Sequence, residues 1–150
     1  MLAGYRVTSQ KMSRIMNIKF KKYDGTVVPG QVTLQNEADE NEDLVAVKIK
    51  LAEKTYEARA ESYFETLQNL RKELERDGIQ ILCNGAARNV YPSPMTLAMG
   101  YGRKAYKMTW GKQALRKDLV DIFGYDESLV CCGVEEQNQY YMDWIQSLRK

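Results

Sequence analysis

Hydrophobic and polar positions alternate along the first half of the chain and turn helical in its middle. From Ile15 to Tyr23 the apolar Ile15, Ile18 and Phe20 alternate imperfectly with Lys19 and Lys21, and Asp24-Gly25 separates this run from a second one, Thr26 to Gln35. Two such runs joined by Asp-Gly predict a β-hairpin. Pro29-Gly30 inside the second run predicts a bulge or an edge strand, because proline has no N–H for a ladder. Val45, Val47, Ile49 and Leu51 share one face of a third run, with Ala46, Lys48 and Lys50 on the other, which is a half-buried strand. Between Thr55 and Asp77 the apolar Tyr56, Ala60, Tyr63, Leu67, Leu70 and Leu74 recur at steps of four and three. That spacing predicts one long amphipathic helix stopped by Gly78, with its stripe against the sheet.

The second half of the chain is punctuated by turn signals. Ile79 to Cys83 is a short apolar strand, and Asn84-Gly85 after it favours a type I′ turn returning through Ala86 to Tyr91. Ser93-Pro94 followed by MTLAM and Gly100 predicts a helix of one or two turns, with its N-cap, first-position proline and terminal glycine in place. Lys104 to Trp110 alternates Ala105, Lys107 and Thr109 against Tyr106, Met108 and Trp110, so it reads as a strand with one aromatic face. A short strand, Leu119 to Phe123, and a closing helix from about Val134 to Leu148 complete the pattern. The expected fold is α+β: a mainly antiparallel sheet of about five or six strands, one long helix after the third strand, and a C-terminal helix. The 150 residues suit a single domain, with residues 1–12 read as a flexible N-terminal extension.

Composition narrows the chemistry. The chain has no His, so it supplies neither a Ser-His-Asp relay nor the imidazole ligands of most catalytic zinc sites. No catalytic residue, metal ligand or cofactor is assigned on these grounds. Three Cys, two of them the adjacent Cys131 and Cys132, predict free thiols in a reducing compartment. Cys83 ends a strand as a nucleophile would, yet without a His base it reads better as a buried structural thiol. No apolar run approaches the roughly 18 residues of a spanning helix, and the N-terminus has no apolar secretory segment, so a cytoplasmic, membrane-free protein is expected.

Charge changes the picture more. Between Gly78 and Lys117 stand seven basic residues (Arg88, Arg103, Lys104, Lys107, Lys112, Arg116, Lys117) and no acid, whereas the whole chain carries only +2. Such segregation attracts phosphates, nucleic acid or an acidic protein surface, unless acids folded nearby balance it. Tyr91, Tyr101, Tyr106 and Trp110 interleave with the cations, as rings that stack bases do, and as rings in ordinary sheet packing do. A phosphate loop is excluded because Tyr106 stands where the first glycine belongs relative to Gly111-Lys112. The acidic run from Asn36 starts like a calcium loop at Asp39, Asn41 and Asp43, but Leu44 replaces the required glycine and Lys50 the bidentate glutamate.

The strings RNVYPSPM, MGYGRKAYKM, DLVDIF and VEEQNQYYMDWIQSL, over roughly residues 79–148, resemble a set of small uncharacterised bacterial proteins with the same segments. Proteins of this sort are often encoded beside polymorphic toxins and act as immunity proteins. The resemblance implies a non-enzymatic interaction module that binds and blocks a toxin domain, and it carries no catalytic residues with it. The candidate binding residues are Arg88, Tyr91, Ser93, Tyr101, Arg103, Lys104 and Lys107, facing a protein with an acidic surface. The alternative is a phosphate- or carboxylate-binding domain, or an enzyme, with a basic pocket around Arg88 and Arg103 near the short helix at Ser93.

Overall fold

The computed structural model describes residues 13–35 and 44–149. The expected N-terminal extension and the acidic run from Asn36 lie outside the described residues. The fold is α+β, and the described residues form eight strands and three α-helices. Strands β1 (Ser13–Lys22), β2 (Val27–Gln35), β3 (Val45–Leu51), β4 (Lys54–Ala60) and β5 (Ile79–Ile81) make one antiparallel sheet in the order β4-β3-β2-β1-β5. A smaller antiparallel sheet has β7 (Lys104–Lys107) between β6 (Val90–Tyr91) and β8 (Leu119–Asp121). Helix α1 (Tyr63–Arg76) comes after β4, α2 (Pro94–Ala98) after β6, and α3 (Val134–Ser147) closes the chain.

The β1–β2 hairpin forms as the sequence predicts. Asp24 accepts the Thr26 N–H at 2.9 Å, and Gly25 takes φ +89°, which a side chain rarely tolerates. The Pro29-Gly30 bulge does not form. The β1–β2 register runs unbroken through Lys19↔Pro29 and Ile18↔Gly30. Pro29 is accommodated because the β2–β3 pairing begins only at Gln31↔Lys50, so no neighbour on that side asks it for an N–H. Gly30 serves close packing instead: a Cβ there would stand 2.5 Å from the Phe20 ring.

The helix expected from Thr55 is corrected. Residues Lys54–Ala60 form β4, paired antiparallel with β3 from Leu51↔Lys54 to Val45↔Ala60, so the third strand leads into a fourth strand before any helix begins. Helix α1 starts only at Tyr63, where the Ser62 hydroxyl accepts the Glu65 N–H at 3.1 Å, and it is 14 residues long. Tyr56 and Ala60 satisfy both periods, since residues four apart share a helix face and also a strand face. Within α1, Leu67, Leu70 and Leu74 are fully buried in one cluster with Val47, Ile49, Phe20 and Ile81, which puts the helix across the inner face of the large sheet. At its end Asp77 accepts from Lys54 Nζ at 2.7 Å and from the Tyr56 hydroxyl, tying β4 to the helix C-terminus.

The Asn84-Gly85 turn is also corrected. Asn84–Ala86 is a buried 3₁₀ turn, and β5 pairs with β1 rather than with the segment after it. The Gly85 N–H donates to Ile122 O at 2.7 Å, and a Cβ on Gly85 would meet Leu67 Cδ2 at 2.6 Å. This glycine is required by close approach, not by a positive φ. Of the return strand expected over Ala86 to Tyr91 only Val90–Tyr91 forms, and it pairs with β7 instead of β5; the short capped helix α2 matches the expectation, and β7 stops at Lys107 rather than running to Trp110.

Candidate functional site

The candidate residues fall on the small sheet and the segments beside it. Arg103, just before β7, lies along Asp121 of β8: its Nε and Nη2 donate to the two carboxylate oxygens at 3.2 and 3.1 Å, and its guanidinium covers the Phe123 ring. One edge of the guanidinium, the Nε and Nη2 pair, is thereby engaged by this carboxylate. Lys107 reaches Asp126 at 3.2 Å, and that carboxyl is held down to about 2 by the Ser128 N–H, the Ser128 hydroxyl and this lysine. Arg88 stands 3.9 Å from Glu136 and over the Tyr140 ring, 46% exposed. Lys104 is exposed at the start of β7. The balancing acids Asp121, Asp126 and Glu136 all come from beyond Lys117, where the acid-free stretch ends.

Tyr91 and Ser93 belong to a different feature, an open cleft of about 510 Å³. Tyr106 and Met108 line it from β7 and its continuation, Tyr91, Pro92 and Ser93 from the end of β6 and the residues after it, and Tyr141 and Trp144 from α3 with Leu148 just past its end. Its walls are fixed by stacking and hydrogen bonds. Tyr91 stacks on Tyr141 with centroids 4.1 Å apart and planes 12° from parallel, and its hydroxyl donates to Asn138 at 2.8 Å. Trp144 Nε1 donates to Thr109 O and Lys112 O at 2.9 and 3.2 Å, which anchors the turn after β7 to α3. The Ser93 hydroxyl is engaged as the N-cap of α2, accepting from Thr96 N at 3.1 Å.

Among the described residues, no charged side chain lines this cleft. Met95, which lines it from α2, is exposed, and the exposed Trp110 and Leu115 stand close in sequence to the lining residues Met108 and Ala114. Lys107 and Lys112 adjoin the lining residues Met108 and Gln113 in sequence, and Arg149 adjoins Leu148. Tyr101, exposed in a 3₁₀ turn at φ +58°, lies outside the lining. Of the seven candidates, then, the structure places Tyr91 and Ser93 in the cleft and the four cations and Tyr101 outside its walls.

Sequence reading missed a polar centre behind this region. Arg71, 1% exposed, projects from α1 and donates to Cys132 O and Gln137 Oε1 at 2.6 Å each. Gln137, fully buried on α3, donates through Nε2 to Gly85 O, Ala87 O and Val90 O at 2.9, 2.8 and 2.9 Å. This pair holds the 84–90 segment against both helices, and so sets where β6 and Tyr91 lie. The signal available was one basic residue, Arg71, next to the apolar stripe of α1. Around it, burial pushes the Cys83 thiol up to about 12 and Cys132 up to about 11, which keeps both protonated at neutral pH. All three cysteines are free. No group of three metal-ligating side chains exists among the described residues, and no helix there is long and apolar enough to cross a membrane.

No protein-family model matches the sequence. No curated protein matches it either.

Proposed function

We propose that this protein is an interaction module that docks a protein partner across the cleft between β7, α2 and α3. The observation that carries this reading is the cleft itself: a preformed aromatic trough with the lining residue Met95 66% exposed. Aromatic and methionine side chains in a rigid depression supply binding energy on desolvation, and a polar rim orients the partner. Basic residues next in sequence to the walls favour an acidic rim on the partner. The toxin-blocking role implied by the sequence resemblance is the specific form of this proposal, and a cytoplasmic site of action goes with it. A ligand-binding pocket around Arg88 and Arg103 is supported less well, because Asp121 already takes one edge of the Arg103 guanidinium and Glu136 stands beside Arg88.

The test is affinity capture with wild-type protein and with Met95→Glu as parallel baits, followed by titration of the purified partner. Met95 is exposed, so the charge should leave the fold intact. A partner held through the cleft should lose at least about 2 kcal/mol of affinity to Met95→Glu, and Arg88→Ala should weaken it comparably if that cation meets an acid at the rim. Lys48→Gln, on the far side of the large sheet, should change it by less than about 0.5 kcal/mol. A partner that binds Met95→Glu as tightly as wild type overturns the proposal.

A further inference from the structure

The five-stranded sheet has a stretch of edge that its own strands leave open. In β1 the even-numbered residues turn their main-chain N–H and C=O toward β2, as the Lys22 N–H does in donating to Thr26 O at 2.8 Å. The odd-numbered ones turn theirs toward β5, as Lys19 O does in accepting the Leu82 N–H at 3.0 Å. Yet β5 pairs with only Phe20, Lys21 and Lys22. After Leu82 the chain leaves that track, because the Asn84 and Gly85 N–H groups donate to Gly124 O and Ile122 O at 2.7 Å each. The N–H and C=O groups of Ser13, Ile15 and Asn17 therefore face outward along the edge, and among the described residues nothing pairs with them. The opposite edge strand, β4, carries charges of both signs, Lys54, Glu57 and Arg59. The open part of β1 instead presents Ile15, 63% exposed, on the outer face and the half-buried Met16 on the inner, with Arg14 as its one charge. Where the track ends, a notch of about 160 Å³ opens between Ile18, Leu82, Phe123 and the exposed Tyr125.

We infer that this edge binds an extended, acidic peptide segment of a partner protein, which adds to the sheet as a strand antiparallel to β1. Outward N–H and C=O groups at every second residue are satisfied together by a chain in the β conformation, so the backbone itself selects an extended segment. Such a strand continues the line that β5 leaves, and the antiparallel ladder, which the whole sheet uses, is the more stable one. Side chains then set the composition. β1 carries four cations (Arg14, Lys19, Lys21, Lys22) and no acid, and neither β2 nor β5 beside it carries any charge. An added strand is the cross-strand neighbour that can bring carboxylates to them. Laid antiparallel along β1, it places an apolar residue at the notch, an acid opposite Asn17 and diagonal to Lys19, apolar residues opposite Met16 and Ile15, and an acid opposite Arg14. A second copy of β1 fits poorly, since it would bring four more cations and no acid to the same edge. No residue of β1 lines the aromatic cleft, and this inference does not rest on the function proposed there.

The probe is the peptide acetyl-Leu-Glu-Val-Val-Glu-Ser-amide, which has that order of side chains, titrated into the isotope-labelled full chain and followed through its amide NMR signals. In the free protein the Ile15 and Asn17 amides should exchange with solvent faster than those of Met16 and Ile18, and they should shift saturably as peptide is added. Methylating the nitrogen of the second valine, whose N–H would face Ile15, should weaken binding at least about fivefold, whereas methylating the first, whose N–H faces away, should change it less than about twofold. Replacing both glutamates of the peptide by lysine should weaken binding at least about fivefold, and so should Arg14→Glu/Lys19→Glu, at two exposed positions. Lysine peptide and charge-reversed protein together should recover the affinity. Met95→Glu should bind the peptide like wild type, which separates this edge from the cleft. Four results each overturn the inference: no saturable shift at millimolar peptide, equal tolerance of the two methyl groups, a lysine peptide that binds wild type as tightly as the glutamate one, or Ile15 and Asn17 amides as protected in the free protein as Met16 and Ile18, which would mean that the edge is already paired.

Discussion

Replacing Gln137 by leucine keeps the volume nearly constant and removes the side-chain acceptor of a buried guanidinium. Arg71 Nη1 then loses its 2.6 Å bond and keeps only a 3.3 Å contact to Gly85 O, while Nη2 stays on Cys132 O. Arg71 Nε already lacks a partner, and desolvation pulls the guanidinium pKa down, so the cation starts from an unfavourable position. Three backbone carbonyls lose the Gln137 amide at the same time. Leaving a buried charge short of a partner costs about 3–5 kcal/mol, which for a chain of this length lowers the melting temperature by about 10 °C. Arg71→Met should cost less, about 1–3 kcal/mol, because it strands neutral acceptors rather than a charge. The double variant should be cheaper than the sum of the two by at least about 1 kcal/mol, since each change removes the group that the other leaves unpaired. Urea unfolding monitored by fluorescence of Trp110 and Trp144 measures all three, provided the slopes agree with a two-state transition. A cost below about 1 kcal/mol for Gln137→Leu, or an additive double variant, would refute the claim that this pair holds the 84–90 segment in place.

The core and the thiols give further outcomes. Leu70→Ala, at a fully buried position packed among α1 and the large sheet, should cost about 2–5 kcal/mol in the same unfolding assay; a loss under about 1 kcal/mol would mean that α1 is not docked as described. Native protein at neutral pH should leave Cys83 unlabelled by thiol reagents, and urea should expose it, because burial holds its pKa at about 12. That raised pKa also sets a pH dependence: above about pH 9 the unfolded chain releases the thiol proton while the fold retains it. Stability is therefore lost from about pH 9 up to about 12, at up to about 1.4 kcal/mol per pH unit for each such group, and Cys83→Ala should flatten the decline. An identical slope in that variant would show that Cys83 titrates as freely in the fold as in the unfolded chain.

How far the sequence can be read depends on whether one local signal stands alone. The run Val45 to Leu51 alternates without competition, and it is the strand the pattern predicts. The run from Lys54 to Ala60 carries two periods at once, and the turn that would have chosen between them has no glycine, asparagine or aspartate. It is Ala52-Glu53, with Ala52 forced to φ +23° by the two-residue connection between β3 and β4. Asn84-Gly85 misleads in the opposite way: the strongest hairpin dipeptide in the chain is buried, and tertiary packing under Leu67 and Ile122 decides its conformation. Tyr91 and Ser93 are legible because the Tyr-Pro-Ser-Pro punctuation marks a capped helix beside a strand. Trp144 and Tyr141, which complete the cleft, are separated from them by about fifty residues, and nothing local joins the two.

Charge shows the same limit in a form with functional consequences. A block of cations in sequence is conspicuous, and it is the feature most readily cancelled by folding, because chain reversals bring later segments alongside. Asp121, Asp126 and Glu136 do this to Arg103, Lys107 and Arg88. A strand disperses its charges, since alternate residues face opposite ways and Lys19, Lys21, Lys48 and Lys50 each look like ordinary solvent positions beside an apolar neighbour. Strand pairing alone decides their spacing: Lys48 and Lys50 stand level with Ile15 and Asn17, Lys19 and Lys21 one and two cross-strand rows further along, and that register is not written in any local stretch of the chain. The physical ground for looking to the aromatic cleft for a protein partner is of another kind: there the described residues hold Tyr91, Tyr106, Tyr141 and Trp144 in a fixed wall and leave Met95 exposed beside it.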